Sequence, residues 1–149
     1  RLRRASVRQQ KASPTAGDDV KTGPGGIRDI EFLVQGLQLV HAADHPAILG
    51  GNTLKALDAL REEAILSRDL ADALAKDYIF LRRIEHGLQI LEDRQMHALP
   101  RSDQELDILA RRILGASASG ADFRRRIDAC RTRVHSTYEE FTHMTPHNE

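Results

Sequence analysis

The segment between Ser67 and Pro100 constrains this chain most. Leu70, Leu74, Asp77 or Tyr78, Leu81, Ile84, Leu88 and Leu91 recur at three- and four-residue intervals. That spacing sets them along one side of an α-helix as a near-heptad seam. Ser67 is a suitable N-cap, and Pro100 stops the chain. A long helix over about 68–95 is therefore predicted, and its seam must be covered by other helices.

The rest of the chain supplies them. Ile27, Ile30, Val34, Leu37 and His41, widened by Leu33 and Val40, predict a helix over about 27–43 that ends before Pro46. Asn52 caps a helix over about 53–63 with Leu54, Leu57 and Leu60 on one side. Ser102 and Glu105 have capping-box spacing and open a short helix through Leu114. A final helix over about 121–143 carries Phe123, Ile127, Cys130, Val134, Tyr138 and Phe141. No useful run of strand alternation appears. The predicted fold is all-α: an antiparallel bundle of about five to six helices around one long central helix. Gly36 and Gly87 fall inside helices, where glycine costs about 1 kcal/mol, so both are expected to mark close helix approach.

Residues 1–12 read as the tail of a charged helix and 13–19 as a linker. The bundle is expected over 20–144, and 145–149 should fray. The chain opens on Arg1, and its only methionines are Met96 and Met144, so it reads as a piece of a longer protein. The 22 basic and 22 acidic side chains balance. That argues against a general nucleic-acid or membrane binder, which needs a basic face. The clusters at Arg1–Arg4 and Arg124–Arg126 fit solvated helix faces. No apolar run is long enough to span a bilayer. The single Cys130 leaves no intramolecular disulfide and suits a reducing, cytoplasmic setting.

Chemistry-bearing residues gather in two blocks. The first is Val20-Lys21-Thr22-Gly23-Pro24-Gly25-Gly26-Ile27-Arg28-Asp29-Ile30-Glu31-Phe32. Here a short extended Val20–Thr22 leads into a glycine turn and a helix start crowded with charge. Backbone amides at a helix start can cradle a phosphate. The order of residues is not that of a P-loop, however, and Asp29 and Glu31 compete with an anion. A structural turn is the cheaper reading. The second block is Arg82-Arg83-Ile84-Glu85-His86-Gly87-Leu88-Gln89. Its polar groups flank the seam, so pairing of Arg82 or Arg83 with Glu31 across helices is expected to offset burial. His41 and His45 have the i,i+4 spacing of a metal pair, but no further ligand is evident.

Together these blocks resemble the glutamine synthetase adenylyltransferases. The first matches the family's glycine-rich junction through Phe32-Leu33-Val34-Gln35. The second, with Tyr78-Ile79-Phe80-Leu81 before it and His97-Ala98-Leu99-Pro100 after it, is similar to the family's long-helix segment. Pro24 replaces a usual charged residue between the glycines, and Met96 replaces a usual threonine. The resemblance implies a helical domain that follows a nucleotidyltransferase domain. The parent enzyme would transfer AMP from ATP to a tyrosine of glutamine synthetase, or remove it by phosphorolysis. The Leu-Arg-Arg-Ile-Glu-His block leans towards the removing half.

ATP and Mg are implied for that parent, whereas this chain has no Gly-Ser pair and no Asp-x-Asp. It is thus expected to hold no catalytic residue, no cofactor and no metal. Lys21, Gly23, Gly25, Gly26, Arg28, Asp29 and Glu31 are the implied junction residues facing the neighbouring active site. Arg82, Arg83, Glu85, His86 and Gln89 are the implied brace. Implied partners are glutamine synthetase, a PII-type signal protein and the upstream nucleotidyltransferase domain, with no nucleic acid and no membrane. The alternative is a non-enzymatic helical module that binds other proteins.

Overall fold

The computed structural model describes residues 19–92 and 98–144. The expected tail helix and linker, the last turn of the long helix, and the frayed C-terminus lie outside the described residues. Within them the fold is all-α, with five α-helices: α1 (Ile27–His41), α2 (Thr53–Glu62), α3 (Arg68–Glu92), α4 (Asp103–Leu114) and α5 (Gly120–Met144). A 3-10 turn, Pro46–Ile48, joins α1 to α2. The one β-type pairing among the described residues is a single antiparallel bridge between Asp19 and Ala98. It brings the chain beyond α3 back to the start of the bundle.

The long helix is central, as its seam requires. It packs against each of the other four helices. Leu74, Leu81, Ile84 and Leu88 are all at most 2% exposed. Facing them lie Ile27, Ile30 and Val34 of α1, Leu57 and Leu60 of α2, Leu109 and Ala110 of α4, and Phe123, Ile127 and Val134 of α5. Aromatics contribute little; Phe123 sits edge-on to Phe80, with the Arg126 guanidinium over the Phe80 ring.

Local chemistry fixes the helix ends. The Asn52 side chain accepts from Lys55 N, and Ser67 Oγ accepts from Leu70 N. Ser102 Oγ accepts from Glu105 N at 3.4 Å. The end of α2 is a Schellman turn: Ile65 N donates to Leu60 O and Ala64 N to Arg61 O. Its left-handed position is held by Ala64 at φ 58° rather than by glycine. The two helical glycines part company. An added Cβ on Gly87 would lie 2.8 Å from Leu109 Cδ1, so this glycine does let α4 approach α3. Gly36 has nothing within 4 Å of that position, and the expected close approach is not made within the bundle.

Candidate functional site

The site is built on the glycine turn ahead of α1. The expected extended Val20–Thr22 is instead a closed turn, because the Asp19 carboxylate draws the chain round. Asp19 Oδ1 accepts from both Lys21 N and Thr22 N at 2.9 Å. Gly23 N then donates back to Asp19 O, and Gly26 N to Gly23 O. The first amides of α1 are also taken: Ile27 N donates to Val20 O and Arg28 N to Lys21 O. Asp29 reaches back and accepts from Gly25 N at 2.7 Å. This helix start is thus satisfied by its own chain, and a phosphate would find its leading amides occupied. Asp29 is spent on the turn.

The glycines are there for space. Gly23, Gly25 and Gly26 are all buried. Gly25 adopts φ +72°, and its Cα faces the backbone of α5. A Cβ there would stand 2.7 Å from Arg131 C and 2.8 Å from Arg131 Cα, with the carbonyl oxygen closer still. On Gly26 it would stand 2.7 Å from Val20 O. Arg131 Nε completes the clamp by donating to Pro24 O at 3.1 Å. Beside this clamp, Lys21 and Glu31 are half-buried and Arg28 is exposed. Among the described residues none of the three makes a side-chain hydrogen bond or ion pair.

The brace is arranged differently from the sequence-based expectation. Arg82 pairs within its own helix, Nη1 to Glu85 Oε1 at 2.7 Å. Arg83 donates to Ile113 O at 3.2 Å, satisfying a terminal carbonyl of α4. Neither reaches Glu31, because each has a nearer acceptor. Glu85 is 5% exposed, His86 is exposed and Gln89 half-buried. Thus α3 does pack against α1, but through Leu and Ile rather than through these charges.

Sequence reasoning missed two partnerships of α5. Arg131 clamps the turn, and Arg133 forks onto Asp77 with contacts of 2.8 and 3.3 Å. Asp77, 6% exposed, occupies the apolar seam, and a carboxylate on such a stripe signals a cation opposite it. The Asp77 hydrogen bond holds Arg133 above its ordinary pKa. Cys130 lies alongside, 1% exposed. Burial, with the Asp77 charge second, pushes its thiol up to about 12. His45 Nδ1 meets Glu63 at 3.1 Å, and its ring lies 6.4 Å from that of His41. Among the described residues no three His, Cys, Asp or Glu side chains converge to hold a metal ion.

One face of α1 remains bare. Phe32, Leu39 and Val40 of α1 are 49%, 85% and 62% exposed, with Leu49 nearby in the chain at 57%. Val40 was expected in the buried stripe. It falls instead one and two turns beyond Gly36 and Phe32, on the outward side. Helix α1 is therefore apolar on two sides, one buried in the bundle and one open.

Comparison with known proteins gives this geometry a family. The family model described as GlnD PII-uridylyltransferase matches residues 1–142. A bifunctional glutamine synthetase adenylyltransferase/adenylyl-removing enzyme of Alteromonas mediterranea is 38% identical over 83% of the chain. Enzymes of the same description from Leifsonia xyli and Xanthobacter autotrophicus are 40% and 44% identical over 80% and 64% of it. The chain spans only 12%, 12% and 10% of those proteins. No helix among the described residues is long and apolar enough to cross a membrane. A helical bundle with this glycine junction, matched along nearly all its length by that family model, and by these adenylyltransferases at 38–44% identity, belongs to the glutamine synthetase adenylyltransferase family.

Proposed function

We propose that this chain is the helical domain that follows a nucleotidyltransferase domain in an enzyme that attaches AMP to a tyrosine of glutamine synthetase or removes it by phosphorolysis. The observation that carries the reading is the double-sided α1. Its inner stripe fixes it in the bundle, and its outer stripe of Phe32, Leu39 and Val40 is left for a neighbour. A cluster of large apolar side chains left in water marks a contact surface. The turn beside it is locked by backbone bonds and by Arg131, so the start of α1 is held in a fixed direction against α5.

In this reading the domain seats the catalytic domain and does no chemistry. Lys21, Arg28 and Glu31 line the side of the turn nearest that domain. ATP and magnesium belong to the nucleotidyltransferase domain; no donor set among the described residues fits the metal. Glutamine synthetase, and a PII-type signal protein as effector, are the proposed partners in a cytoplasmic setting. Two assays test this. The 149-residue chain, given labelled ATP, magnesium and glutamine synthetase, is expected to transfer no AMP; a measurable rate refutes the division of labour. In the longer enzyme, Phe32→Asp with Leu39→Asp is expected to cut transfer or removal at least about tenfold, equivalent to about 1.4 kcal/mol. Unchanged rates with a correctly folded bundle would show that α1's outer face seats nothing.

A further inference from the structure

A second surface lies away from the glycine turn. A groove of about 650 Å³ runs along α3 where α2 and α4 flank it. Leu54, Ile79, Ile90 and Ile113 give it an aliphatic floor. Ile79 and Ile90 are 46% and 54% exposed. They are eleven residues apart on one helix, about 16 Å along its axis, with Arg83 and His86 between them on the same side of α3. Arg82, Arg83 and Arg112 give the rim positive charge, with His86 among them, and among the described residues no carboxylate lines the groove. Glu85 pairs with Arg82. Arg83 uses one donor on Ile113 O. Arg112 has no ion-pair or hydrogen-bond partner among the described residues.

We propose that this groove receives an acidic amphipathic helix from a partner protein. Its apolar side chains would cover Ile79 and Ile90, and its carboxylates would meet Arg83 and Arg112. The mode is helix-in-groove, in which one helix face supplies apolar anchors at i, i+3/i+4 and i+7. Charge complementarity selects an acidic partner. A small anion would satisfy one or two of these cations and leave Ile79 and Ile90 bare. A nucleic acid would need a broader basic field than a chain with balanced charge provides. The proposal needs neither the adenylyl-transfer reading nor the α1 face.

The test uses the 149-residue chain and two labelled peptides of about sixteen residues, a length that leaves helix formation to be completed on binding. One is built from Leu at helical spacing with Glu elsewhere; the other has Lys in place of every Glu. The Glu peptide is expected to bind with a Kd of about 10–100 μM and at least about tenfold more tightly than the Lys peptide. Arg112→Glu, and separately Ile79→Ser with Ile90→Ser, should each weaken it about fivefold or more, with far-UV circular dichroism showing the bundle intact. Added salt should weaken it further. Equal binding of both peptides, no binding of the Glu peptide up to about 1 mM, or indifference to Arg112→Glu overturns the proposal. So does a loss caused by Leu39→Asp but not by the Ile79 and Ile90 changes, since the peptide would then sit on α1. Pyrophosphate that displaces the peptide and still binds the Ile79→Ser, Ile90→Ser variant would mark a small-anion site, and that too overturns it.

Discussion

Replacing Gly25 by alanine adds a single methyl group at the place where α5 touches the turn. The nearest neighbours of that methyl are backbone atoms, which cannot rotate away. Ordinary van der Waals contact begins near 3.4 Å, and Arg131 C would lie at 2.7 Å. The turn and α5 must separate by about 0.7 Å (3.4 − 2.7) to relieve that contact alone. Overpacking of this kind costs about 1–3 kcal/mol. The left-handed φ of +72° adds about 1–2 kcal/mol for a residue with a Cβ. Separation also threatens the Arg131–Pro24 hydrogen bond, a further 0.5–1.5 kcal/mol or so. Alanine's stiffer unfolded chain returns about 0.4–1 kcal/mol. The net expectation is a loss of about 2–5 kcal/mol, a large part of a typical stability of about 5–15 kcal/mol. Urea denaturation followed at 222 nm should show a lower midpoint with an unchanged slope. A loss below about 1 kcal/mol would mean that α5 does not hold the turn, and the clamp argument would fail.

Other substitutions separate the remaining interactions. Gly36→Ala, on an open helix face, is expected to stabilise the isolated chain by about 0.5–1 kcal/mol and to impair the longer enzyme if a helix seats there; the same urea titration and an activity assay check both. Ala64→Gly relieves the left-handed position in the Schellman turn after α2 and should gain up to about 1 kcal/mol once the looser unfolded chain is counted; a loss in the same titration refutes it. Cys130 should be inert to a thiol reagent in the native state and reactive in urea. Its pKa is raised by folding from 9.0 to about 12. Below pH 9 the thiol is protonated in both states and contributes no pH dependence; above it the unfolded chain loses the proton first, so stability falls with rising pH until about 12. The full slope of about 1.4 kcal/mol per pH unit is reached only above about pH 10, so the difference between wild type and Cys130→Ala should change by about 1.4 kcal/mol in total from pH 8 to 10; parallel profiles would contradict it.

The helices were legible in the sequence because their signals are local. The seam from Leu74 to Leu88, the caps Asn52, Ser67 and Ser102, and the aliphatic stripe of α5 each depend on residues within a few turns. Helix α1 was legible in place but not in full. Val40 reads as core by periodicity, and only the packed bundle shows that no helix covers its side. The charged network was the hardest part. Arg82 and Arg83 were matched to Glu31 on the principle that buried charges pair. Glu85 one turn away and the carbonyl of Ile113 were nearer, and half-buried Glu31 has no such partner among the described residues. Arg131 and Arg133 carried no sequence signal beyond being exposed-looking arginines. Asp77 on an apolar seam was the one clue to the second of them.

The Pro24–Arg131 contact spans 107 residues. During synthesis the glycine turn leaves the ribosome well before the helix that will grip it. Until α5 has formed, Gly25 has no surface against which its shape makes sense, and the turn must rest on its local bonds to Asp19, Asp29 and its own backbone. Closing so wide a loop is entropically costly and slow. The two ends of the domain should therefore become ordered together, late and in one cooperative step. A neighbour docking on the outer side of α1 would then read the completion of the whole bundle through the rigidity of its first turn.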